Sequence, residues 1–180
     1  LGALAGGDEG GAAFDALEIL ADTTIRFLQA QLGCLRDPWG VMVFDDAVGM
    51  LSPALFQAVG KPILQRIFAA FEGLIRIYHN DSPCQHLFPY FGDLGFEVLH
   101  FSHRIPLAEA RAELGPTIAL MGNVPPVEVM MNGSPEQVEA VARDCIAQVG
   151  GTGLILAPGG GTNAGTPAEN IDALVLATLD

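Results

Sequence analysis

Apolar strand, polar cluster, helix and glycine recur in that order along most of the chain. The apolar segments are short and apolar on both faces, which is typical of strands buried in a parallel sheet. We predict strands at residues 39–44, 74–78, 96–101, 117–121 and 153–157, and a helix after each, at residues 53–73, 82–94, 106–114, 134–149 and 166–179. Before them we expect a glycine-rich loop to about Gly11 and one helix, from Phe14 to Leu32.

Two of the predicted helices begin with recognisable capping signals. Ser134-Pro135 and Thr166-Pro167 each place a hydroxyl at the N-cap position and a proline at the first helical position. Gln137 and Glu169 follow these hydroxyls by three residues, which completes a capping-box pattern in both helices. We therefore expect Ser134 and Thr166 to cap their helices.

Alternating strands and helices predict a parallel sheet with right-handed crossovers, either open or closed into a barrel. No GxGxxG motif follows the first strand, and every predicted strand ends in polar residues. The pattern favours a (β/α)₈ TIM barrel, whose mouth is built from the loops that follow the strands. Since five units cannot close an eight-stranded barrel, we expect residues 1–180 to be a single domain and a fragment, with roughly three strands before Leu1.

Composition narrows the classes of partner. The formal net charge is −13 with only 8 Lys and Arg residues, which argues against nucleic acid or an anionic membrane surface. No apolar run approaches the roughly 20 residues of a membrane-spanning helix. Three well-separated cysteines without a targeting pattern are typical of a reducing cytoplasm, so we expect a cytoplasmic protein. An oligomer is possible.

The sharpest candidate chemistry lies at the end of the second predicted strand. In the extended segment His79-Asn80-Asp81, the imidazole and the carboxylate would point to the same side. They could share a divalent metal ion or act as an acid/base couple. Asp81 precedes Ser82-Pro83, so capping the next helix is an equally good role for it.

Further polar residues end the neighbouring strands. Asp45 and Asp46 could hold a metal ion, orient a base or bind a cationic group. The glycine loop after the last strand could receive an anion on its backbone amides. We take as candidate cofactor-binding residues those that end the last three strands: His103, Asn123, Gly159 and Gly160.

The remaining histidines and the cysteines have simpler interpretations. His86 lies on a predicted helix and His100 in a predicted strand, so we expect both to be structural. Cys84 follows His79 closely and has a modest claim to function, whereas Cys145 lies in mid-helix and is expected to pack in the core.

Several motifs, taken in order, resemble the uroporphyrinogen decarboxylase superfamily, which also contains cobalamin-dependent methyltransferases. The resemblance covers about residues 15–180. It rests on Phe44-Asp45-Asp46-Ala47-Val48-Gly49-Met50-Leu51-Ser52-Pro53, Tyr78-His79-Asn80-Asp81, Leu107-Ala108-Glu109-Ala110-Arg111, Met121-Gly122-Asn123-Val124-Pro125-Pro126, Val127-Glu128-Val129, Gly133-Ser134-Pro135-Glu136, Ala157-Pro158-Gly159-Gly160-Gly161 and Thr166-Pro167-Ala168-Glu169-Asn170-Ile171. The resemblance implies a (β/α)₈ barrel.

At the residues expected to carry chemistry, the chain differs from both branches of the superfamily. Zinc methyltransferases of the superfamily carry His-x-Cys on the rim and a second cysteine in the last glycine loop. Here His79 matches the histidine, whereas Asp81 and Gly160 stand at the two cysteine positions. The decarboxylases carry Gly-His-Gly in that loop, where this chain has Gly159-Gly160-Gly161.

Three functions follow from these observations. We favour a methyltransferase that works with a corrinoid protein or another methyl carrier, with His79, Asp81, Asp45 and Asp46 as candidate catalytic residues. His79 and Asp81 would be ligands of a bound Zn²⁺ or Mn²⁺ ion. The alternative is a uroporphyrinogen decarboxylase, a lyase of porphyrin biosynthesis that needs no such cofactor. A third possibility is a binding protein that has lost catalysis.

Overall fold

A computed structural model describes residues 8–179. Five parallel strands form one sheet in the order β1-β2-β3-β4-β5, so each strand pairs with its neighbours in sequence. The strands are β1 Gly40–Phe44, β2 Ile75–Asn80, β3 Val98–Phe101, β4 Ala119–Val124 and β5 Leu154–Pro158. Helices alternate with the strands, and the predicted fold, a partial (β/α)₈ barrel, is confirmed.

Five helices and three shorter helical segments accompany the sheet in the described part of the chain. The helices are α1 Asp8–Cys34, α2, α3 Leu107–Leu114, α4 Pro135–Gln148 and α5 Ala168–Leu176. Helix α2 comprises Pro53–Leu55, the π-helical segment Phe56–Gly60 and Lys61–Ala69. The shorter segments are the 3₁₀ helices Ala47–Met50 and Gln85–Tyr90 and the π-helical turn Pro126–Met131. None of the described helices is long and apolar enough to cross a membrane.

Helix α1 begins earlier than its sequence predicted. It starts at Asp8, so the part of the expected glycine-rich loop that is described is helical, while residues 1–7 lie outside the described residues. Its inner face packs through Leu17, Ala21 and Ile25 against the main core. Arg66 of α2 forms salt bridges with two α1 carboxylates, Glu18 and Asp22. These contacts fix the middle of α1 on α2, and the helix includes Gly10 and Gly11 near its start.

The prediction of a helix at residues 82–94 was wrong. Only the six-residue 3₁₀ helix Gln85–Tyr90 forms there. Pro89 lies inside it and has no N–H to donate, and its ring opposes continuation as an α-helix. The segment is nevertheless well packed, because Leu87 and Phe88 are buried.

Two strands run further than their apolar residues suggested. β2 continues through His79 and Asn80, and β4 continues through Asn123 and Val124. Hydrogen bonding between neighbouring strands explains the extension of β2. The Asp45 N–H donates to the His79 carbonyl at 3.0 Å, which keeps the polar end of β2 in the sheet. His79 and Asn123 are therefore held by strand pairing, while the other candidate residues lie in the segments that follow the strands.

An aromatic cluster fills the space between the sheet and its helices. Tyr78 of β2 is fully buried and contacts Phe68 at 5.8 Å, Phe91 at 5.6 Å and Phe96 at 5.4 Å between ring centroids. A second, smaller cluster lies under α4 and α5, around Val124, Met130 and Val138. Burial of these side chains is the main stabilising contribution to the sheet that carries the site.

One of the two predicted helix caps is confirmed and the other is wrong. The Ser134 hydroxyl accepts from Gln137 N–H at 3.4 Å, and the Gln137 side chain accepts from Ser134 N–H at 2.9 Å. Helix α5 begins at Ala168, with Pro167 at the N-cap position and no side-chain cap. The Thr166 hydroxyl donates to the Asn163 carbonyl at 2.8 Å, which closes the preceding turn.

We predict that Ser134→Ala lowers the free energy of unfolding by about 1 kcal/mol, because it leaves an amide at the start of α4 without its acceptor. Ser134→Asp keeps a side-chain acceptor at the same position and should retain most of the stability. Urea denaturation of the three proteins measures the difference. Equal losses in both variants would show that the capping bond does not stabilise α4.

Candidate functional site

The C-terminal ends of β1 and β2 are tied together by a carboxylate. Asp46 Oδ1 accepts a hydrogen bond from the Asp81 N–H at 2.6 Å, across the two loops that follow these strands. Both residues are exposed at the rim of the sheet. The sequence prediction that the ends of the strands bring Asp46 and Asp81 to one edge is borne out by this contact.

Asn80 fixes the local shape of this rim, a role that the sequence did not reveal. Its side chain is fully buried and donates to the Asp45 carbonyl at 2.6 Å. Its Oδ1 accepts from Ser82 N–H at 3.0 Å. Because Asn80 points inward, His79 and Asp81 on either side of it point away from the core, as the alternation of an extended segment requires.

His79 lies against a second histidine. Its Nδ1 is 2.9 Å from Nδ1 of His100, the residue that pairs with it in the register of β2 and β3. The Phe44 ring covers His79 on the β1 side, with ring centroids 4.9 Å apart. The expectation that His100 is merely structural therefore missed a direct contact with the leading candidate residue. Its signal in the sequence is its place at the same level as His79 on the neighbouring strand.

The surroundings of His79 favour its neutral form. Burial lowers the pKa of His79, and the neighbouring His100 lowers it further, while the carboxylates of Asp46 and Asp81 oppose the shift. A neutral imidazole carries one N–H and one lone pair, so it can accept a proton or a hydrogen bond from a bound molecule. His79 thus has the properties of a base or an acceptor.

Asp45 has different surroundings from the other rim carboxylates. Its Oδ1 accepts from Ala47 N–H at 3.1 Å and Val48 N–H at 3.4 Å, which holds the turn that leads into the 3₁₀ helix Ala47–Met50. Burial raises the pKa of Asp45, although the two amides oppose the shift. These contacts give Asp45 a role in shaping the loop, and its predicted catalytic role stays a prediction.

Asp81 does not cap the helical segment that follows it. The N-cap position of the 3₁₀ helix Gln85–Tyr90 is Cys84, and no side chain caps it. Cys84 itself is buried, and burial raises the pKa of its thiol to about 12, so the thiol stays protonated. Cys145 is buried in the smaller core cluster, as expected.

The glycine loop after β5 lies directly against the rim residues. A Cβ at Gly159 would lie 2.3 Å from Asn123 Oδ1 and 2.6 Å from His103 N, so a larger residue does not fit. Gly160 has a φ of +124°, and a Cβ there would lie 3.0 Å from Asp81 Oδ2. Positions 81 and 160, at which the resemblance would lead one to expect cysteines, therefore lie side by side.

The candidate cofactor-binding residues are mostly engaged within the protein. The Gly159 N–H donates to the Val124 carbonyl at 2.9 Å, and Asn123 Nδ2 donates to the Ile105 carbonyl at 2.8 Å. His103 Nδ1 is 3.2 Å from the Gly159 carbonyl. Asn123 Oδ1 is buried and has no hydrogen-bond partner among the described residues. Their role in holding a cofactor stays a prediction.

The described rim residues offer few ligands for a metal ion. Within residues 8–179, no three His, Cys, Asp or Glu side chains are grouped so that they could hold a metal ion. His79 and Asp81 have no third metal ligand among the described residues, and Gly160 has no side chain to offer. A resident metal ion does not fit these residues alone, and the predicted zinc or manganese site stays a prediction.

Comparisons with known proteins agree on the family. The family model for uroporphyrinogen decarboxylase (URO-D) matches residues 9–179. A uroporphyrinogen decarboxylase from Nocardia farcinica is 35% identical over 169 residues, which cover 89% of this chain and 46% of the relative. One from Gloeobacter violaceus is 31% identical over 157 residues, covering 83% of this chain and 43% of the relative.

A solved structure shows the same fold. A methyltransferase from Methanosarcina mazei superposes with a TM-score of 0.81 at 25% sequence identity, over 91% of this chain and 48% of the methyltransferase chain. The chain thus spans about half the length of the relatives that it matches. From its motifs, its parallel sheet and these matches, the chain belongs to the uroporphyrinogen decarboxylase family.

Proposed function

We propose that this chain forms part of a methyltransferase, in which His79 takes a proton from the group that accepts the methyl. The observation that carries the proposal is the distribution of charge at the rim. The segments that directly follow the five strands contain the carboxylates Asp45, Asp46 and Asp81 but only one Lys or Arg residue, Arg104. Such a rim suits a neutral or cationic substrate better than a polyanion.

Most other basic side chains of the described chain are already engaged. Lys61, Arg66, Arg76 and Arg143 form salt bridges with carboxylates. Arg111 donates to the carbonyls of Gly115, Ile118 and Gly153. These contacts stabilise the fold and leave little positive charge to attract a substrate with many carboxylates.

His79 has the chemistry that methyl transfer to a thiol requires. A thiol is a poor nucleophile until it loses its proton, because the thiolate is the reactive form. The neutral imidazole takes this proton, the sulfur forms a bond to the methyl carbon, and the donor leaves with the electron pair of its bond to that carbon. Asp46 and Asp81, which lower the cost of charging the ring, stabilise the imidazolium that results.

We propose a corrinoid protein as the methyl donor, since cobalamin-dependent methyltransferases belong to the superfamily that the motifs resemble. The similarity to the Methanosarcina mazei methyltransferase supports methyl transfer in general terms. The donor would approach the rim formed by Asp46, His79 and Asp81. The corrinoid is then a substrate carried by the partner, and this chain supplies the acceptor side of the reaction.

Decarboxylation of a porphyrinogen is the second candidate, and the names of the Nocardia and Gloeobacter relatives favour it. The acidic rim argues against it for the part described, because a substrate with several carboxylates would need cations from residues outside 8–179. The two reactions are separated by one pair of assays. One follows demethylation of methylcobalamin in the presence of 2-mercaptoethanol, and the other follows carboxylate loss from uroporphyrinogen.

We predict that the purified protein converts methylcobalamin and 2-mercaptoethanol into cob(I)alamin, the methyl thioether and a proton. His79→Ala should lower kcat/KM about 100-fold or more, because it removes the base. The formation of cob(I)alamin can be followed by its absorbance.

His86→Ala is the matched control, because His86 is exposed and its ring hydrogen-bonds to the Leu51 carbonyl, at 2.9 Å, away from the rim carboxylates. This variant should transfer methyl groups at the wild-type rate. Carboxylate loss from uroporphyrinogen without methyl transfer would identify a decarboxylase instead. Binding of methylcobalamin with neither reaction would indicate a relative that has lost catalysis.

A further inference from the structure

We propose that His100 is a positioning residue that holds the His79 ring in its Nδ1–H tautomer, which leaves the lone pair on Nε2. The inference deepens the proposed function, on which it rests for its catalytic consequence. It names the atom of His79 that meets the substrate and the residue that selects this atom. The evidence is a chain of hydrogen bonds from β2 through β3 to the end of β5.

The chain of hydrogen bonds starts at a group that can only accept. His100 Nε2 is 3.0 Å from the carbonyl oxygen of Pro158, so Nε2 must carry the hydrogen. A neutral His100 then has its lone pair on Nδ1. The side chain is only 7% exposed, which keeps water from competing for either nitrogen.

The second hydrogen bond transmits this choice to His79. The two Nδ1 atoms are 2.9 Å apart, and only one of them can hold the shared hydrogen. Since His100 Nδ1 is the acceptor, His79 Nδ1 is the donor. In the described chain Nε2 of His79 has no hydrogen-bond partner, so it is the nitrogen that remains free to take a proton.

A second contact of His100 Nε2 favours a hydrogen on Nδ1 of His100 instead, but it is weaker than the contact with the Pro158 carbonyl. The Gly160 N–H lies 3.4 Å from His100 Nε2, at the limit of hydrogen-bond distance. If it were the true donor, the lone pairs of His100 Nε2 and the Pro158 oxygen would face each other at 3.0 Å, which is repulsive. His79 would then carry its hydrogen on Nε2 and could not act there as a base.

The Pro158 carbonyl, His100 and His79 occupy three different strands, so the sheet itself enforces the geometry. His79 and His100 pair in the register of β2 and β3, and Pro158 ends β5. A free histidine side chain prefers the Nε2–H tautomer, so the Nδ1–H form has to be imposed by its surroundings. Removal of the hydrogen-bond partners that orient metal-binding histidines typically costs about 10- to 100-fold in activity, and we expect an effect of the same order when a partner orients a base.

Long-range ¹H–¹⁵N correlation spectra of the ¹⁵N-labelled protein distinguish the tautomers, since protonated and unprotonated ring nitrogens resonate far apart. At about pH 8 an ordinary imidazole is neutral. We expect the wild type to show His79 protonated on Nδ1 and His100 protonated on Nε2. A His79 signal with the hydrogen on Nε2 would overturn the inference.

Two variants separate positioning from mere packing. His100→Phe keeps a ring of similar size but offers no acceptor, so His79 should revert to the Nε2–H tautomer and kcat for methyl transfer should fall about 10- to 100-fold. His100→Asn places an amide oxygen near the position of Nδ1 and should restore both the tautomer and much of kcat. Equal losses in the two variants, with His79 unchanged in both spectra, would contradict a positioning role.

The spectra test the tautomer of His79 and the assays test the proposed function, so either proposal can be contradicted without the other. If His79 has the expected tautomer but His79→Ala transfers methyl groups at the wild-type rate, the proposed function is wrong and the hydrogen-bond chain stands. If His79→Ala is inactive while wild-type His79 is protonated on Nε2, His100 does not set the tautomer.

Discussion

The parallel pairing of the five strands is the constraint on which the rest of the structure depends. Because all the strands run in one direction, their C-terminal ends meet at one edge, and each polar residue that follows a strand lies beside the next. The register then sets which side chains touch. Phe44, His79, His100, Met121 and Ile155 form one row across the sheet, and the histidine pair at its centre is a consequence of that row.

Two opposing effects act on the pKa of His79, and their balance sets the protonation state of its ring. Desolvation and the adjacent His100 favour the neutral ring, while Asp46 and Asp81 favour the charged one. Asp46 and Asp81 are exposed, so water and salt screen their influence, whereas His79 is half-buried and lies against Phe44 and the buried His100. The result is an imidazole with a lowered pKa, next to carboxylates that favour its protonated form.

The sequence predicted the strands, their parallel order and the edge at which polar residues gather, because these depend on burial and alternation. It could not predict the register, which depends on long-range pairing, and so His100 was taken for a structural residue. Local competition caused the other differences. Pro89 prevents an α-helix at residues 82–94, and Thr166 bonds to Asn163 instead of capping α5. The role of Asn80 depends on the Asp45 carbonyl, which is 35 residues away in the sequence.

The chain belongs to the family, but its sequence departs from the family pattern at the candidate site. Asp81 and Gly160 lie against each other, and they are the two positions at which the resemblance to zinc methyltransferases would lead one to expect cysteines. Neither position offers a thiolate, so the role that we propose for His79 depends on the lone pair of its own ring. The pKa of His79, measured by NMR titration of its ring proton, tests this account most directly. The account predicts a pKa below the ordinary value of about 6.5, and a value at or above it would show that the carboxylates control the ring and would contradict the account.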